Sequence, residues 1–401
     1  MKEDRLLRKS LAVGIILLFI GACIIPSIAE SVSIKNDKTR MTKITNKVPT
    51  VGSLKNYLIP TMIPSKNTQS DGLTDWKQQA KLLASDGAEE DFFTSLGLSL
   101  SGDTALIGAW GDDDNGADSG SAYVFTRTST NWTEQAKLLA SDEVAGDAFG
   151  WCTAIEGDTA LIGASGDDNL KGSVYVFTRT GTTWTEQAKL VAADGATGDQ
   201  FGYSIYLSGD TAIIGANCDD DKGFDSGSAY VFIRTSTIWT EQAKLLASDG
   251  AEQDFFSAYA VSISNDAALI GAASDDMSRG SAYVFTRTGT TWTEQVKLLS
   301  TDGVAGDSFG GSVFLSGDTA IIGAGGDDDN GHDSGSVYEF VRTDTTWTQE
   351  SKLLAADGSV GDVFGWDVAL DGDTILIGAY YDDDNGADSG SVYVFVKESE
   401  N

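Results

Sequence analysis

Residues 149–164 read FGWCTAIEGDTALIGA, two largely apolar runs separated by the short polar sequence EGD at 156–158. The arrangement recurs, with Ser-Gly-Asp-Thr beginning at 101, 208 and 316, Glu-Gly-Asp-Thr at 156 and Asp-Gly-Asp-Thr at 371. In one further copy Asn265 replaces the glycine. Because glycine and asparagine both tolerate a positive φ, this exchange indicates a tight turn between two β-strands. The run ALIGA at 160–164 is apolar throughout, so we expect both faces of its strand to be buried.

The hairpin belongs to a repeat of 52 to 56 residues. Six tryptophans begin near-identical segments: Trp76, Trp132, Trp184, Trp239, Trp292 and Trp347. A period near 50 is typical of β-propellers and related arrays, in which each unit buries its faces against its neighbours. Each unit has four strand-like segments and no helical periodicity. The sequence therefore predicts an all-β fold, a six-bladed β-propeller of four-stranded antiparallel blades over residues 76–401. Seven blades, one of them degenerate, remain the alternative.

The order of the segments also predicts how the ring closes. The repeats begin with the tryptophan strand 76–84 and end on 392–397, which matches the strand that precedes the tryptophan strand in every other copy. The first tryptophan strand is therefore spare, and the last blade lacks one strand. Pairing 76–84 beside 392–397 would close the ring and remove two open edges. An open solenoid is the alternative.

Two short motifs recur in register. Phe-Gly stands at 149, 201, 309 and 364, and Gly-Ala at 108, 163, 215, 271, 323 and 378. The pattern resembles the FG-GAP repeat β-propellers, the fold of integrin α-subunit heads and of prokaryotic secreted or surface proteins. Phe92-Phe93 and Phe255-Phe256 stand where we would expect Phe-Gly. The calcium loop of the integrin type is absent between the two motifs, so the resemblance carries over no metal site.

The N-terminus has the features of a secretory signal over residues 1–29. Basic residues precede an apolar run from Leu11 to Ile25, and small residues follow, ending at Ala29. An uncleaved anchor or a lipidated Cys23 are the alternatives, and either would be the chain's membrane attachment. Residues 30–75 are polar and lack periodicity, so we predict a flexible linker. We therefore expect a secreted or cell-surface protein.

The chain is strongly acidic. It has 60 acidic and 27 basic residues and a formal net charge of -33. Such a surface repels nucleic acid, which excludes it as a partner. A single histidine also excludes histidine-dependent catalytic triads.

The loops after the second strand of a blade and the loops that cross between blades should share one face, which concentrates the acidic residues there. Crowded carboxylates favour bound cations, and we predict calcium as the cofactor. A solvated, turn-forming acidic loop without metal is the alternative. The candidate metal ligands are Asp112, Asp114, Asn115, Asp118, Asp327, Asp329, Asn330, Asp333, Asp382, Asp384, Asn385 and Asp388.

Several aromatic residues break the repeat near this face and are the candidates for ligand contact: Trp110, Trp151, Trp366, Tyr380 and Tyr381. The recurring tryptophans are interpreted instead as packing residues. We expect a non-catalytic binding or adhesion module that presents the acidic face to an extracellular protein or glycan. A glycosidase or lyase that uses paired carboxylates, and a purely structural envelope scaffold, are the alternatives.

Overall fold

The computed structural model describes residues 79–383 and 389–397. Within them the chain forms six antiparallel sheets, each with its strands in sequence order. Sheet 1 contains β1 (Phe93–Ser101), β2 (Thr104–Ala109), β3 (Ser121–Thr128) and β4 (Asn131–Leu138). Sheet 2 contains β5 (Phe149–Glu156), β6 (Thr159–Ala164), β7 (Ser173–Thr180) and β8 (Thr183–Leu190). Sheet 3 contains β9 (Phe201–Ser208), β10 (Thr211–Ala216), β11 (Ser228–Thr235) and β12 (Ile238–Leu245).

The second half of the chain repeats the same layout. Sheet 4 contains β13 (Val261–Ser264), β14 (Ala267–Ala272), β15 (Ser281–Thr288) and β16 (Thr291–Leu298). Sheet 5 contains β17 (Phe309–Ser316), β18 (Thr319–Ala324), β19 (Ser336–Thr343) and β20 (Thr346–Leu353). Sheet 6 contains β21 (Phe364–Asp371), β22 (Thr374–Ala379) and β23 (Ser391–Val396). Two short turns, α1 (Asp167–Leu170) and α2 (Asp275–Ser278), take the place of longer loops in sheets 2 and 4, and their middle residues have left-handed backbone angles.

The predicted all-β fold of six propeller blades is confirmed. Each turn that the repeated Gly-Asp sequence predicted joins the first and second strands of a sheet, and Asn265 has the expected positive φ of 57°. No helix among the described residues is long and apolar enough to cross a membrane. The predicted signal 1–29 and linker 30–75 lie outside the described residues.

The Gly-Ala and Phe-Gly motifs meet where one sheet packs on the next. A Cβ at Gly108 would lie 1.8 Å from the carbonyl oxygen of Gly150, and a Cβ at Gly163 would lie 2.2 Å from that of Gly202. No side chain fits at such a distance, so glycine is required for the two backbones to touch. The motifs are therefore the two halves of one contact between sheets.

Both substitutions in these motifs are placed one residue later than the sequence suggested. In sheet 1 Phe93, rather than Phe92, takes the place of the motif phenylalanine, since it packs edge-on against Tyr123. Phe256 and Ser257, rather than Phe255 and Phe256, occupy the place of Phe-Gly in sheet 4, since Phe256 packs on Tyr283 as Phe149 packs on Tyr175. Ser257 has a φ of 73°, the left-handed conformation that glycine adopts in the other copies. Its hydroxyl donates a 2.6 Å hydrogen bond to the carbonyl of Ser228, which helps to hold this conformation.

The core lies between successive sheets. Phe149 packs edge-on against Tyr175 and Phe177 at centroid distances of 5.4 and 6.1 Å, and the same three-ring cluster recurs in each sheet. We call the face of a sheet that packs against the next sheet in the chain its forward face. Val124 on the forward face of sheet 1 is fully buried against sheet 2. The forward face of sheet 6 differs, because Val392, Val394 and Val396 are 68%, 45% and 60% exposed.

Sheet 6 has three strands among the described residues, as expected if its fourth strand comes from elsewhere in the chain. Of the predicted closing strand 76–84, residues 76–78 lie outside the described residues, and residues 79–84 are not in a strand. The pairing of 76–84 with 392–397 therefore stays a prediction.

Candidate functional site: the acidic face

The two sets of acidic loops lie on one face, as predicted. The loop between β2 and β3 is hydrogen-bonded along its length to the loop that crosses from β4 to β5. Gly146 N donates to Ala117 O at 2.9 Å, and Ala148 N donates to Asp118 O at 3.0 Å. The backbone of one blade thus supports the loop of its neighbour. We call the surface formed by these loops the acidic face.

A lysine from the fourth strand reaches into the loop carboxylates. Lys137 Nζ lies 2.9 Å from Asp86 Oδ2, 2.9 Å from Asp112 Oδ2 and 2.7 Å from Asp114 Oδ2. The hydroxyl of Tyr123 donates to Asp86 and Asp112 at 2.7 and 2.9 Å. We call such a group of lysine, tyrosine, crossing-loop aspartate and β2–β3-loop aspartates a lysine cluster. Sheets 1 to 5 each contain one, centred on Lys137, Lys189, Lys244, Lys297 and Lys352.

In the lysine cluster of sheet 1, Lys137 and Tyr123 favour the ionised form of Asp86 and Asp112. Hydrogen bonds from Lys137 and Tyr123 lower the pKa of Asp86. Burial would raise the pKa of Asp112, but hydrogen bonds from the same two side chains outweigh it, so this pKa is also lowered. The lysine ammonium is thus a counter-ion built into the fold, and it offsets part of the repulsion between the carboxylates of the loops.

A second set of aspartates on the crossing loops behaves in the opposite way. Asp147 accepts a 2.8 Å hydrogen bond from Val144 N, and Asp199 a 2.7 Å bond from Ala196 N. Burial nevertheless raises the pKa of both carboxyl groups, and neighbouring aspartates add to the effect. The pKa values of Asp254 and Asp307 are raised for the same reason. These carboxylates cap the tight turns of the crossing loops.

The lysine clusters include several of the predicted calcium ligands. Asp112 and Asp114 bind Lys137, and Asp327 and Asp329 bind Lys352 at 2.9 and 2.8 Å. Calcium at either loop would have to displace a lysine ammonium, so the residues as arranged do not fit the ion.

Most of the remaining predicted ligands form hydrogen bonds within their own loops. The backbone N–H groups of Asn115 and Asn330 donate to Ser119 Oγ and Ser334 Oγ, and those of Asp118 and Asp333 donate to nearby aspartates. Asp382 accepts a hydrogen bond from Tyr393, and Asp384, Asn385 and Asp388 lie outside the described residues. Among the described residues, Asp328, His332 and Asp333 bring three ligand atoms within 4.8 Å of one another, but all three side chains border solvent.

Sequence reasoning missed the lysines. Lys171, which lies in the loop between β6 and β7, pairs instead with the exposed Asp168 at 3.0 Å. The signal was present, because a lysine stands five residues after each of the six repeated tryptophans. The lysine stands among alternating polar residues of its strand, a pattern that is typical of a solvent-exposed side chain. Only the fold shows that its ammonium group contacts the loop carboxylates.

Two of the predicted ligand-contact residues form part of an aromatic row. Phe92 stacks on Trp110 at 4.6 Å, Trp110 contacts Trp151 at 5.4 Å, and Tyr203 continues from Trp151 at 5.1 Å towards Tyr259. Trp110 and Trp151 are only 8% and 9% exposed. Their rings therefore serve mainly to pack the starts of neighbouring inner strands. Tyr203 follows Phe-Gly as Trp151 does, a signal that the sequence analysis did not use.

The other three form a separate exposed group, the aromatic patch. Trp366 and Tyr380 have ring centroids 5.5 Å apart with planes inclined by 30°, and Tyr381 meets Tyr380 at 4.7 Å. Trp366, Tyr380 and Tyr381 are 46%, 52% and 37% exposed. They lie at the start of β21 and in the loop after β22, on the acidic face.

The opposite face carries recurring pairs of an arginine and an aspartate. Arg234 Nε donates to Asp210 Oδ1 at 2.7 Å, and its guanidinium lies 5.3 Å from the ring centroid of Trp239. Equivalent Arg, Asp and Trp groups recur in sheets 1 to 5. The recurring tryptophans are thus packing residues, as interpreted from the sequence.

Asp367 is an acidic residue on β21, the innermost strand of sheet 6. It borders water, yet the surrounding blades desolvate it and raise the pKa of its carboxyl group. Its backbone neighbour Val368 donates to it at 2.9 Å. A protonated carboxyl next to the aromatic patch could donate a hydrogen bond to a ligand.

Six stretches of the chain match the family model of the FG-GAP repeat: residues 76–125, 132–177, 184–232, 239–285, 292–340 and 347–395. A comparison with curated proteins finds no match.

Proposed function

Because the chain belongs to the FG-GAP repeat family, we propose that it is a secreted or cell-surface binding module that presents its acidic face to an extracellular protein or glycan. Domains of this family are typically extracellular and non-catalytic. The fold suits either a binding or a structural role. We place recognition at the aromatic patch and the loops beside it.

The observation that carries the proposal is the exposure of the aromatic patch. Three large rings on one blade are more than one-third exposed, while the equivalent places in sheet 5 are held by Gly311 and Gly325. Exposed clustered aromatic side chains mark binding surfaces, because they bury much area with little loss of rotamer freedom.

The surroundings of the aromatic patch suit a polar ligand. Asp367 follows Trp366 in the chain and the exposed Asp383 comes two residues after Tyr381, so carboxyl groups that can bond to a ligand stand close to the aromatic patch in the sequence. Sugar rings stack on tryptophan and tyrosine while their hydroxyl groups bond to carboxylates, and basic protein segments would be attracted by the same charges. Strongly anionic ligands would be repelled.

The test compares three forms of the full chain on a glycan array and against proteins captured from the native cell surface. The first is the parent, the second carries Trp366→Ser, Tyr380→Ser and Tyr381→Ser, and the third is a control with Ile238→Ser. Ile238 is 66% exposed on the opposite face. We expect the triple variant to lose binding at least tenfold, as for the loss of a hot spot worth more than about 1.4 kcal/mol.

Equal binding by the parent and the triple variant would refute the aromatic patch as the recognition surface. Selective loss in the Ile238→Ser control would place recognition on the opposite face. Cleavage of an arrayed glycan by the parent would favour the glycosidase alternative instead of the binding module.

A further inference from the structure

The loop from β6 to β7 in sheet 2 is shorter than its counterparts in sheets 1, 3 and 5. It has eight residues, 165–172, whereas those loops have eleven, 110–120, 217–227 and 325–335. The longer loops each supply a third aspartate to the lysine cluster. Asp114, Asp221 and Asp329 contact the cluster lysines at 2.7, 2.7 and 2.8 Å. The short loop of sheet 2 supplies no equivalent of this third aspartate among the ion pairs that the structure describes.

Lys189 of sheet 2 therefore has one carboxylate fewer than these lysines. Its Nζ lies 2.8 Å from Asp142 Oδ2 and 2.6 Å from Asp167 Oδ2, and no third carboxylate in the described part of the chain pairs with it. Its side chain is 29% exposed, against 16%, 14% and 15% for the cluster lysines of sheets 1, 3 and 5. An ammonium group carries three N–H donors, so one donor of Lys189 is open to another acceptor.

A cavity of about 700 Å³ borders this ammonium group. Lys171 and Asp147 also line it, together with Val144 and Val191, whose side chains are exposed. Its volume lies in the range of about 300–1,000 Å³ that is typical of small-molecule sites. The cavity thus combines charged groups with apolar side chains, as such sites do.

The cavity is open because a contact found in other sheets is missing. Its wall includes Gly195, and the three atoms nearest to an added Cβ there all belong to Ala192 of the same crossing loop. After sheets 3, 4 and 5 the equivalent glycine has a side chain of the facing loop 3.4, 3.4 and 3.2 Å from such a Cβ: Lys222 at Gly250, Arg279 at Gly303 and Asn330 at Gly358. Side chains thus take up in these sheets the space that is open in sheet 2.

We propose that this cavity binds the carboxylate of a small organic acid, which accepts a hydrogen bond from Lys189 Nζ in the place that Asp114 takes beside Lys137. The contacts of the third aspartates in sheets 1, 3 and 5 show the arrangement of ammonium and carboxylate. A hydrogen bond between two charged groups is stronger than one to a neutral acceptor. The carbon skeleton of the ligand packs against Val144 and Val191, which removes apolar surface from water.

The charge of the cluster suits a single carboxylate. One lysine with three aspartates carries a net charge of -2 in sheets 1, 3 and 5, whereas one lysine with two aspartates carries -1 in sheet 2. A bound carboxylate brings the cluster of sheet 2 to -2, the charge that the fold holds in the other three sheets. Lys171 places a second ammonium group on the cavity wall.

Two kinds of ligand share this chemistry, an acidic sugar and an amino-acid or peptide carboxylate. A sugar ring and a small aliphatic side chain both suit the valines, and the ligands of the test separate the two. The cavity lies in sheet 2, whereas the aromatic patch lies in sheet 6. The proposal therefore adds a second binding activity to the proposed function and does not depend on it.

The test measures the binding of two acids and of their neutral counterparts to the full chain, by isothermal titration calorimetry and ligand-observed NMR. D-glucuronate is compared with D-glucose, and N-acetyl-L-alanine with N-acetyl-L-alaninamide. We expect at least one acid to bind at a single site with a dissociation constant on the order of 1 mM. Its neutral counterpart should bind at least about tenfold more weakly, because it lacks the charged acceptor.

Three variants locate the site. Lys189→Met removes the ammonium group and should weaken binding at least about tenfold. A loop graft replaces residues 166–171 by the sequence of residues 111–119, which supplies the third aspartate from within the chain, and should abolish binding. The graft keeps Lys189, so it tests the site without removing the lysine cluster. Lys244→Met is the matched control, because it removes a lysine that already has three aspartates, and it should bind the acid like the parent.

The ligands distinguish the two sources. Binding of glucuronate alone would identify an acidic sugar, binding of N-acetyl-L-alanine alone an amino-acid or peptide carboxylate, and binding of both a general carboxylate site. No saturable binding of either acid to the parent, or equal binding of an acid and its neutral counterpart, would overturn the proposal. Unchanged binding by the loop graft, or a loss in Lys244→Met as large as that in Lys189→Met, would also overturn it.

Discussion

Replacing Gly163 by alanine tests the contact between neighbouring sheets. Gly163 belongs to the Gly-Ala motif of sheet 2, and an added Cβ would lie 2.2 Å from Gly202 O, 3.2 Å from Gly202 C and 3.3 Å from Ile205 Cδ1. Its own φ is not in the left-handed region, so alanine brings no backbone strain there. The loss of stability therefore reports the steric contact alone.

The expected magnitude follows from the kind of atom that is struck. A flexible side chain could turn away, but a backbone carbonyl between two packed sheets cannot move without shifting the whole strand. Overpacking in a core costs about 1–3 kcal/mol, and we expect the upper end of that range here. For a domain of about 320 residues, with an unfolding entropy of about 2.1 cal/mol/K per residue, a loss of about 2–3 kcal/mol corresponds to a fall of about 3–5 °C in the unfolding temperature.

The matched control is Gly157→Ala. Gly157 has a φ of 58° and no atom within 4 Å of an added Cβ, so its loss should come from backbone strain alone, about 1 kcal/mol. Both variants are measured by thermal unfolding followed by circular dichroism and by urea midpoint. If Gly163→Ala is no more destabilising than Gly157→Ala, the sheets do not touch at the Gly-Ala and Phe-Gly motifs as described.

Three further predictions concern the charges of the acidic face. Lys244→Met should lower the free energy of unfolding by about 2 kcal/mol, because it leaves the buried Asp219 without its ammonium partner. The control Lys171→Met, at an exposed lysine, should lower it by less than about 0.5 kcal/mol. Equal losses for the two variants in chemical denaturation would contradict this. The unfolding temperature should be highest near about pH 5. Aspartates with a raised pKa, such as Asp147, stabilise the fold at acidic pH and lose this contribution as the pH rises through their folded pKa. Aspartates with a lowered pKa, such as Asp86, lose their contribution below about pH 4, where the unfolded chain binds more protons. Stability that rises steadily to pH 8 in thermal scans would refute this. Calcium and sodium at matched ionic strength should raise the unfolding temperature equally, since the lysines already serve as counter-ions, and selective stabilisation by calcium would restore the metal ligands expected from the sequence.

The fold was predictable because its signals are local and repeated six times. Gly157 and Asn265 mark the same turn in different copies, and the consecutive apolar run at 160–164 shows that both faces of its strand are covered. The same error arose from the adjacent phenylalanines of sheets 1 and 4. Sequence alone could not show which of Phe255 and Phe256 is buried, because the choice depends on contact with Tyr283 from a strand about 27 residues away.

The candidate site was less predictable, because its properties arise from contacts between repeats. Aspartates 112 and 114 have the spacing of metal ligands, but Lys137 comes from a strand 23 residues further along the chain. Similarly, Trp110 and Trp366 both break the repeat, yet one is buried in a row of rings and the other is exposed. Burial of an irregular residue depends on what the neighbouring blade places beside it, and no local pattern encodes that.

The most direct test of recognition by the acidic face is capture by protein that is tethered in two opposite orientations. Two variants of a chain whose native cysteines are replaced by serine each carry a single biotin on sheet 5. His332→Cys places it at the acidic face, and Thr345→Cys places it at the opposite face. Both positions are exposed. Immobilised through residue 345, the protein should capture its glycan or protein ligand from the native cell surface, whereas immobilisation through residue 332 should abolish or strongly reduce capture. Equal capture in both orientations, or capture only through residue 332, would contradict the acidic face as the recognition surface.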